Sequence, residues 1–114
     1  MLPFESELGR STYIYGVATA PEFRRRGLAG KLMREAMRLI GEQGDEAAFL
    51  IPSDEWLHGF YAKYGFEGAV PVTFSSQDGF DFGTGDASKD RAMVWRRAPG
   101  APLPEALHCT YAKR

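Results

Sequence analysis

Residues 13–40, YIYGVATAPEFRRRGLAGKLMREAMRLI, restrict the fold more than any other part of the chain. Residues 13–19 are aromatic and β-branched enough for a buried strand. Leu28, Leu32, Ala36 and Ile40 then recur at helical spacing, flanked by Met33, Met37 and Leu39. Strand and helix are joined by a basic turn, Pro21-Glu22-Phe23-Arg24-Arg25-Arg26-Gly27-Leu28-Ala29-Gly30. A strand entering such a turn leaves the first helical N–H groups without intrahelical partners. With the positive end of the helix macrodipole they form an anion site, and phosphate is the usual occupant. Gly27 admits unusual backbone dihedrals, while Ala29 and Gly30 leave room for a ligand to approach. The turn is not a P-loop, since no Gly-Lys-Ser/Thr follows, and Gly-x-Gly-x-x-Gly is absent.

The remaining sequence is short. With 114 residues, 44% of them hydrophobic, the chain forms a single domain over residues 1–114 with a small core. A net charge of −1 supplies no broad basic field for nucleic acid, so the three arginines are a local feature. Cys109 stands alone, which rules out an intrachain disulfide or a cysteine-cluster metal site and fits a reducing cytoplasm. No apolar run approaches the ~18 residues of a membrane span. Residues 1–10 lack the basic start and apolar stretch of a signal peptide and read as a loop or short arm.

Residues 28–42 form the long helix, with Gly41 and Gly44 as stop signals. Residues 47–51 are a short apolar run before Pro52, a second buried strand. Strand, helix and strand over this distance predict a right-handed βαβ unit with parallel strands. Ser53 or Asp54 caps a second helix, with Trp56, Phe60 and Tyr64 along one side and Leu57 and Tyr61 beside them. Gly59 inside that helix costs about 1 kcal/mol relative to alanine, which suggests close packing or ligand approach. Gly65 ends it. Residues 66–74 and 91–97 are two further strands joined by a Gly-, Ser- and Asp-rich loop. Leu107, Cys109 and Tyr111 alternate like a short strand in a segment otherwise ambiguous.

Two motifs carry a resemblance. Arg24-Arg25-Arg26-Gly27-Leu28-Ala29 resembles the pyrophosphate loop of the GNAT N-acetyltransferase family, Arg/Gln-x-x-Gly-x-Gly/Ala. Phe60-Tyr61-Ala62-Lys63-Tyr64-Gly65-Phe66 resembles the family's second signature, an aromatic and a tyrosine on a helix followed by Gly-Phe, in the same order and at a similar separation. The resemblance implies that Arg24, Arg25, Arg26, Gly27, Leu28, Ala29 and Gly30 wrap the pyrophosphate of acetyl-CoA, a co-substrate that needs no metal. It also implies that the backbone of Val17, Ala18 and Thr19 pairs with the pantetheine arm. Tyr61 matches the tyrosine that protonates the departing thiolate, a role open to a phenol that stays protonated at neutral pH; otherwise it is one more core aromatic. Tyr64, three residues on, is the fallback donor. Asp54 stands where family members often have asparagine. No general base is assigned: Glu22, Asp54 and Glu55 read as loop or cap charges, and His58 and His108 are isolated.

The resemblance spans roughly residues 12–97, the C-terminal portion of an acetyltransferase fold that ordinarily opens with further strands and helices. The expected fold is therefore a partial GNAT-like α/β (α+β mixed) sheet, a βαβ unit followed by a helix and antiparallel strands. A strand at residues 13–19 with no neighbour would leave a bare edge, which favours a homodimer. A terminal segment folding back over that edge is the alternative. The expected activity is transfer of acetyl from acetyl-CoA to an amine, on a small molecule or a peptide, with no nucleic-acid or membrane partner. A non-catalytic acyl-CoA-binding or assembly module is the other reading.

Overall fold

The computed structural model describes residues 2–14, 28–52, 57–75, 91–98 and 100–112. It contains strands β1 (Leu2–Ser6) and β2 (Gly9–Tyr13), helix α1 (Leu28–Gln43), strand β3 (Ala47–Leu50) and helix α2 (Leu57–Ala62). Strands β4 (Glu67–Ser75), β5 (Arg91–Arg96) and β6 (Leu107–Tyr111) complete it. The strands close into a barrel in the order β1-β2-β3-β5-β4-β6. β2 and β3 run parallel, Ser11 facing Ala47 and Tyr13 facing Phe49, with α1 between them in the chain, as the βαβ expectation requires. The other parallel pair is β4–β6, and the remaining neighbours are antiparallel. The domain is thus mixed α+β, but its six strands close into a barrel, which the expected βαβ unit followed by a helix and antiparallel strands did not include.

Residues 1–10 are the largest correction. Residues 2–10 are not an arm: β1 pairs with β2 from Leu2↔Tyr13 to Ser6↔Gly9, and with β6 through Phe4↔Tyr111 and Glu5↔Thr110. The reversal is short because Gly9 adopts φ +93°, which a side chain would strain, and because Ser6 Oγ accepts from the Leu8 N–H at 3.1 Å. The strand expected over residues 13–19 is described only as far as Tyr13, with Ile14 N–H still donating to Phe49 C=O at 2.9 Å. Its described part has neighbours on both sides. The bare edge that favoured self-association does not exist there, since the chain's own N-terminal strand covers it.

Alternation along the strands builds two core layers. Phe49 of β3, Ala92 and Val94 of β5, Leu107 and Cys109 of β6 and Phe4 of β1 turn into the barrel. Ala48 and Leu50, with Met93, turn outward beneath the helices. Inside the barrel, Tyr13 stacks on Phe49 with centroids 5.1 Å apart, and Phe4 meets the rings of Tyr13, Phe49, Phe74 and Tyr111 edge-on. The alternation of Leu107, Cys109 and Tyr111 was therefore a strand signal.

On α1 the buried stripe is Met33, Ala36 and Ile40; Leu32, expected among them, is 46% exposed. The opposite face carries Lys31, Arg34, Glu35, Arg38 and Glu42, with Arg38 bridging Glu35 and Glu42. Gly44 at φ +76° ends the helix. Just beyond, Asp45 is fully buried, accepting from Thr12 Oγ1 at 2.6 Å and from Arg10 Nε at 3.2 Å. Arg97 donates to the carbonyls of Asp45 and Gly41, satisfying groups the helix end leaves open. This polar knot ties β2, β3 and β5 at one end of the barrel.

Candidate active site

At the other end, where β2 and β3 finish, α1 begins and α2 packs beside it. Both helices lie over the outward-facing core layer of Ile14, Ala48, Leu50 and Met93. Ligands of parallel strand pairs are bound beyond their carboxyl ends, so this end is where a site is sought.

Leu57 and Tyr61, four apart on α2, are its buried residues, and Phe60 and Tyr64 pack half-buried against the same core. Tyr61 is 4% exposed, with its ring edge-on to Phe60 at 5.1 Å and to Phe66 at 6.4 Å. The helix ends at Ala62, before Gly65, and the chain turns: Tyr64 N–H donates to Tyr61 C=O at 2.9 Å and Gly65 N–H to Ala62 C=O at 3.1 Å. The turn carries Tyr64 toward α1. A methyl group built on Gly30 would stand 3.0 Å from the Tyr64 hydroxyl and 3.6 Å from an Arg34 guanidinium nitrogen.

Of the residues singled out from the sequence, Val17, Ala18, Thr19, Arg24, Arg25, Arg26 and Gly27 lie outside the described residues, as do Glu22, Asp54, Glu55 and Trp56. Leu28 and Ala29 open α1, and Gly30 follows in its first turn. At Gly30, expected to leave room for a ligand, a side chain would meet Tyr64 and Arg34 of the same chain. Gly59 was expected to mark close packing or ligand approach; it is exposed, and a methyl there would meet no described atom within 4 Å, so it is not closely packed among the described residues.

His108 sits on β6, its backbone N–H donating to Glu7 at 2.8 Å and its Nδ1 2.6 Å from Glu7 Oε2, so it belongs to the β1–β6 seam. Asp45 went unnoticed in the sequence because nothing local marks it. Its burial does not make it a base for this site: it follows the C-terminal end of α1, a helix roughly 24 Å long by its rise per residue. Among the described residues, no group of His, Cys, Asp and Glu could hold a metal ion. None of the described helices is long and apolar enough to cross a membrane.

A family model described as an acetyltransferase (GNAT) domain matches residues 4–69 of the 114, more than half of the chain. The chain belongs to the GNAT acetyltransferase family. No curated protein and no solved structure matches it. The match to the GNAT domain begins in β1, earlier than the residue 12 expected, and takes in both helices and the start of β4. Strands β5 and β6, which close the barrel of this GNAT domain, lie beyond it. Membership assigns the domain to acyl transfer as a class of chemistry.

Proposed function

We propose that this GNAT domain transfers the acetyl group of acetyl-CoA to an amine by direct attack. The observation that supports the reading is the approach of Tyr64, in the second signature, to Gly30, which directly follows the first and lies in the first turn of α1. Arg24, Arg25, Arg26 and the backbone N–H groups at the start of α1 would hold the pyrophosphate, by charge and by donors that the helix leaves unpaired. Val17, Ala18 and Thr19 would pair with the pantetheine amides through their backbone. The amine nitrogen adds to the thioester carbonyl carbon, and the tetrahedral adduct collapses with cleavage of the C–S bond. The thiolate leaves and takes a proton from the Tyr61 hydroxyl, the ammonium proton of the adduct passes to solvent, and solvent returns a proton to the Tyr61 phenolate. The acceptor is an amine on a small molecule or a peptide.

Calorimetry with acetyl-CoA comes first, followed by a thiol-release screen over a panel of amines. Tyr61→Phe is expected to keep acetyl-CoA affinity and lower the transfer rate roughly 10²-fold, a loss confined to the transition state. An unchanged rate removes Tyr61 from the mechanism, and no binding by the folded protein removes the reading.

One observation favours the second reading, a non-catalytic acyl-CoA-binding or assembly module. The buried carboxylate among the described residues, Asp45, stands at the wrong end of α1 to take a proton from an acceptor. Binding without thiol release on any amine would select that reading.

A further inference from the structure

We infer that Tyr64 is a positioning residue: its hydroxyl seats in the notch left by Gly30 on the first turn of α1, and so fixes the spacing between the helix start that holds acyl-CoA and the helix that carries Tyr61. The inference rests on the acetyl-CoA reading above and adds to it a residue that neither signature assigns.

Both sides of the notch are defined. On α1, a methyl on Gly30 would stand 3.0 Å from the Tyr64 hydroxyl, closer than carbon and oxygen ordinarily approach, so the absent side chain is what admits the phenol. On the other side the turn packs against its neighbours. Its Tyr64 N–H is bonded to Tyr61 C=O, the Tyr64 ring meets Phe60 edge-on at 5.5 Å, and a methyl on Gly65 would stand 3.0 Å from Trp95 Cδ1 of β5. The turn is therefore held between the first turn of α1 and β5, with the phenol as the spacer on the α1 side. Arg34, whose guanidinium lies 3.6 Å from the same methyl position, borders the notch with a fixed positive charge.

The consequence for function follows from how acyl transfer depends on geometry. The pyrophosphate is held at the start of α1 and the proton donor stands on α2, so the thioester sulfur reaches Tyr61 only if the two helices keep one separation. A displacement of about 1 Å between reacting groups is enough to cost on the order of 10²-fold in rate. A tyrosine at 64 sets that separation with a rigid ring, where a flexible chain would not.

The test is a double-mutant cycle on the full chain, read by acetyl-CoA calorimetry beside thermal unfolding. Gly30→Ala is expected to weaken acetyl-CoA binding about tenfold or more, since the methyl pushes the turn away. Tyr64→Phe on that background removes the opposing oxygen and is expected to restore affinity to within about threefold of wild type, with all midpoints within a few degrees. Weak binding by Gly30→Ala that the second substitution fails to restore gives the room to the ligand, overturning the inference while leaving the acetyl-CoA reading standing. Wild-type affinity in Gly30→Ala overturns it too. Wild-type protein that binds no acetyl-CoA overturns both. Should Gly30→Ala fail to fold, Tyr64→Leu decides alone: weakened binding at an unchanged midpoint supports the spacer, and wild-type affinity refutes it.

Discussion

Phe4→Ala tests the feature of this fold that the sequence hid most completely. Phe4 is fully buried, and the rings of Phe74, Tyr111, Phe49 and Tyr13 meet it edge-on with centroids 5.6, 5.8, 5.9 and 6.2 Å away. These rings come from β4, β6, β3 and β2, so Phe4 sits where most of the barrel wall converges. Truncating a buried phenylalanine costs about 3–5 kcal/mol through lost transfer energy and the cavity left behind. Edge-on aromatic pairs contribute about 0.5–1.5 kcal/mol each beyond area, which places Phe4→Ala toward the upper end of that range. Were residues 1–10 a surface arm, the same substitution would stay within about 0.5 kcal/mol. Urea unfolding followed by Trp fluorescence and far-UV circular dichroism separates the two outcomes. Against a total stability of about 5–15 kcal/mol, Phe4→Ala is expected to move the urea midpoint far below that of wild type. Phe4→Leu, expected to cost about 1–2 kcal/mol, keeps the measurement within range if the alanine variant does not fold. A midpoint for Phe4→Ala within error of wild type would refute the closed barrel.

Asp45→Ala is expected to destabilise by about 2–4 kcal/mol, since it strands the buried Thr12 hydroxyl and removes a charged acceptor. Arg10→Gln is expected to cost under about 1 kcal/mol, because the Arg10 side chain is 46% exposed and screened; equal losses in urea melts would contradict this account. Burial alone would raise the Glu7 carboxyl, but hydrogen bonds from the His108 backbone and ring outweigh it and hold Glu7 below the ordinary glutamate range. Its folded value lies below its unfolded one, so its contribution is present at neutral pH and is lost as pH falls through the folded value. Wild-type melting temperature should accordingly drop more steeply than that of Glu7→Gln between roughly pH 5 and pH 3, and parallel curves would refute the latch. Burial, with Glu7 nearby, pushes the Cys109 thiol up to about 12, so a thiol reagent near neutral pH should label native protein only as fast as it unfolds. Prompt labelling of native protein would place Cys109 elsewhere.

Hydrophobic period alone located much of this fold. The residues 28–42 expected for the helix fall one short of α1 (Leu28–Gln43), and β3, β4 and β5 begin and end within a residue of the expected runs. These elements are legible because a side chain's face is set by its place in a 2.0 or 3.6 repeat, a local property of the chain. The two signatures were legible for a similar reason, being short runs whose small and aromatic residues stand together in sequence.

Pairing is not local, and there the sequence fell silent. Residues 2–6 offer Leu2 and Phe4 among Pro3, Glu5 and Ser6, a pattern too short to separate a strand from a loop; only the partners β2 and β6 decide it. Glu7 meets His108 across 101 positions, and no residue near either announces the other. Asp45 is buried because Thr12 and Arg10 come from the adjacent parallel strand and Arg97 from just beyond β5, whereas in sequence it is an acidic residue beside glycine. Gly30 shows the same division: the sequence says that a side chain is missing there, and only the folded chain sets the Tyr64 hydroxyl 3.0 Å from where that side chain would begin. Local repeats fix which face each residue presents, while closure of the barrel and burial of its polar ties depend on contacts between segments far apart in the chain, whose partners no local pattern names.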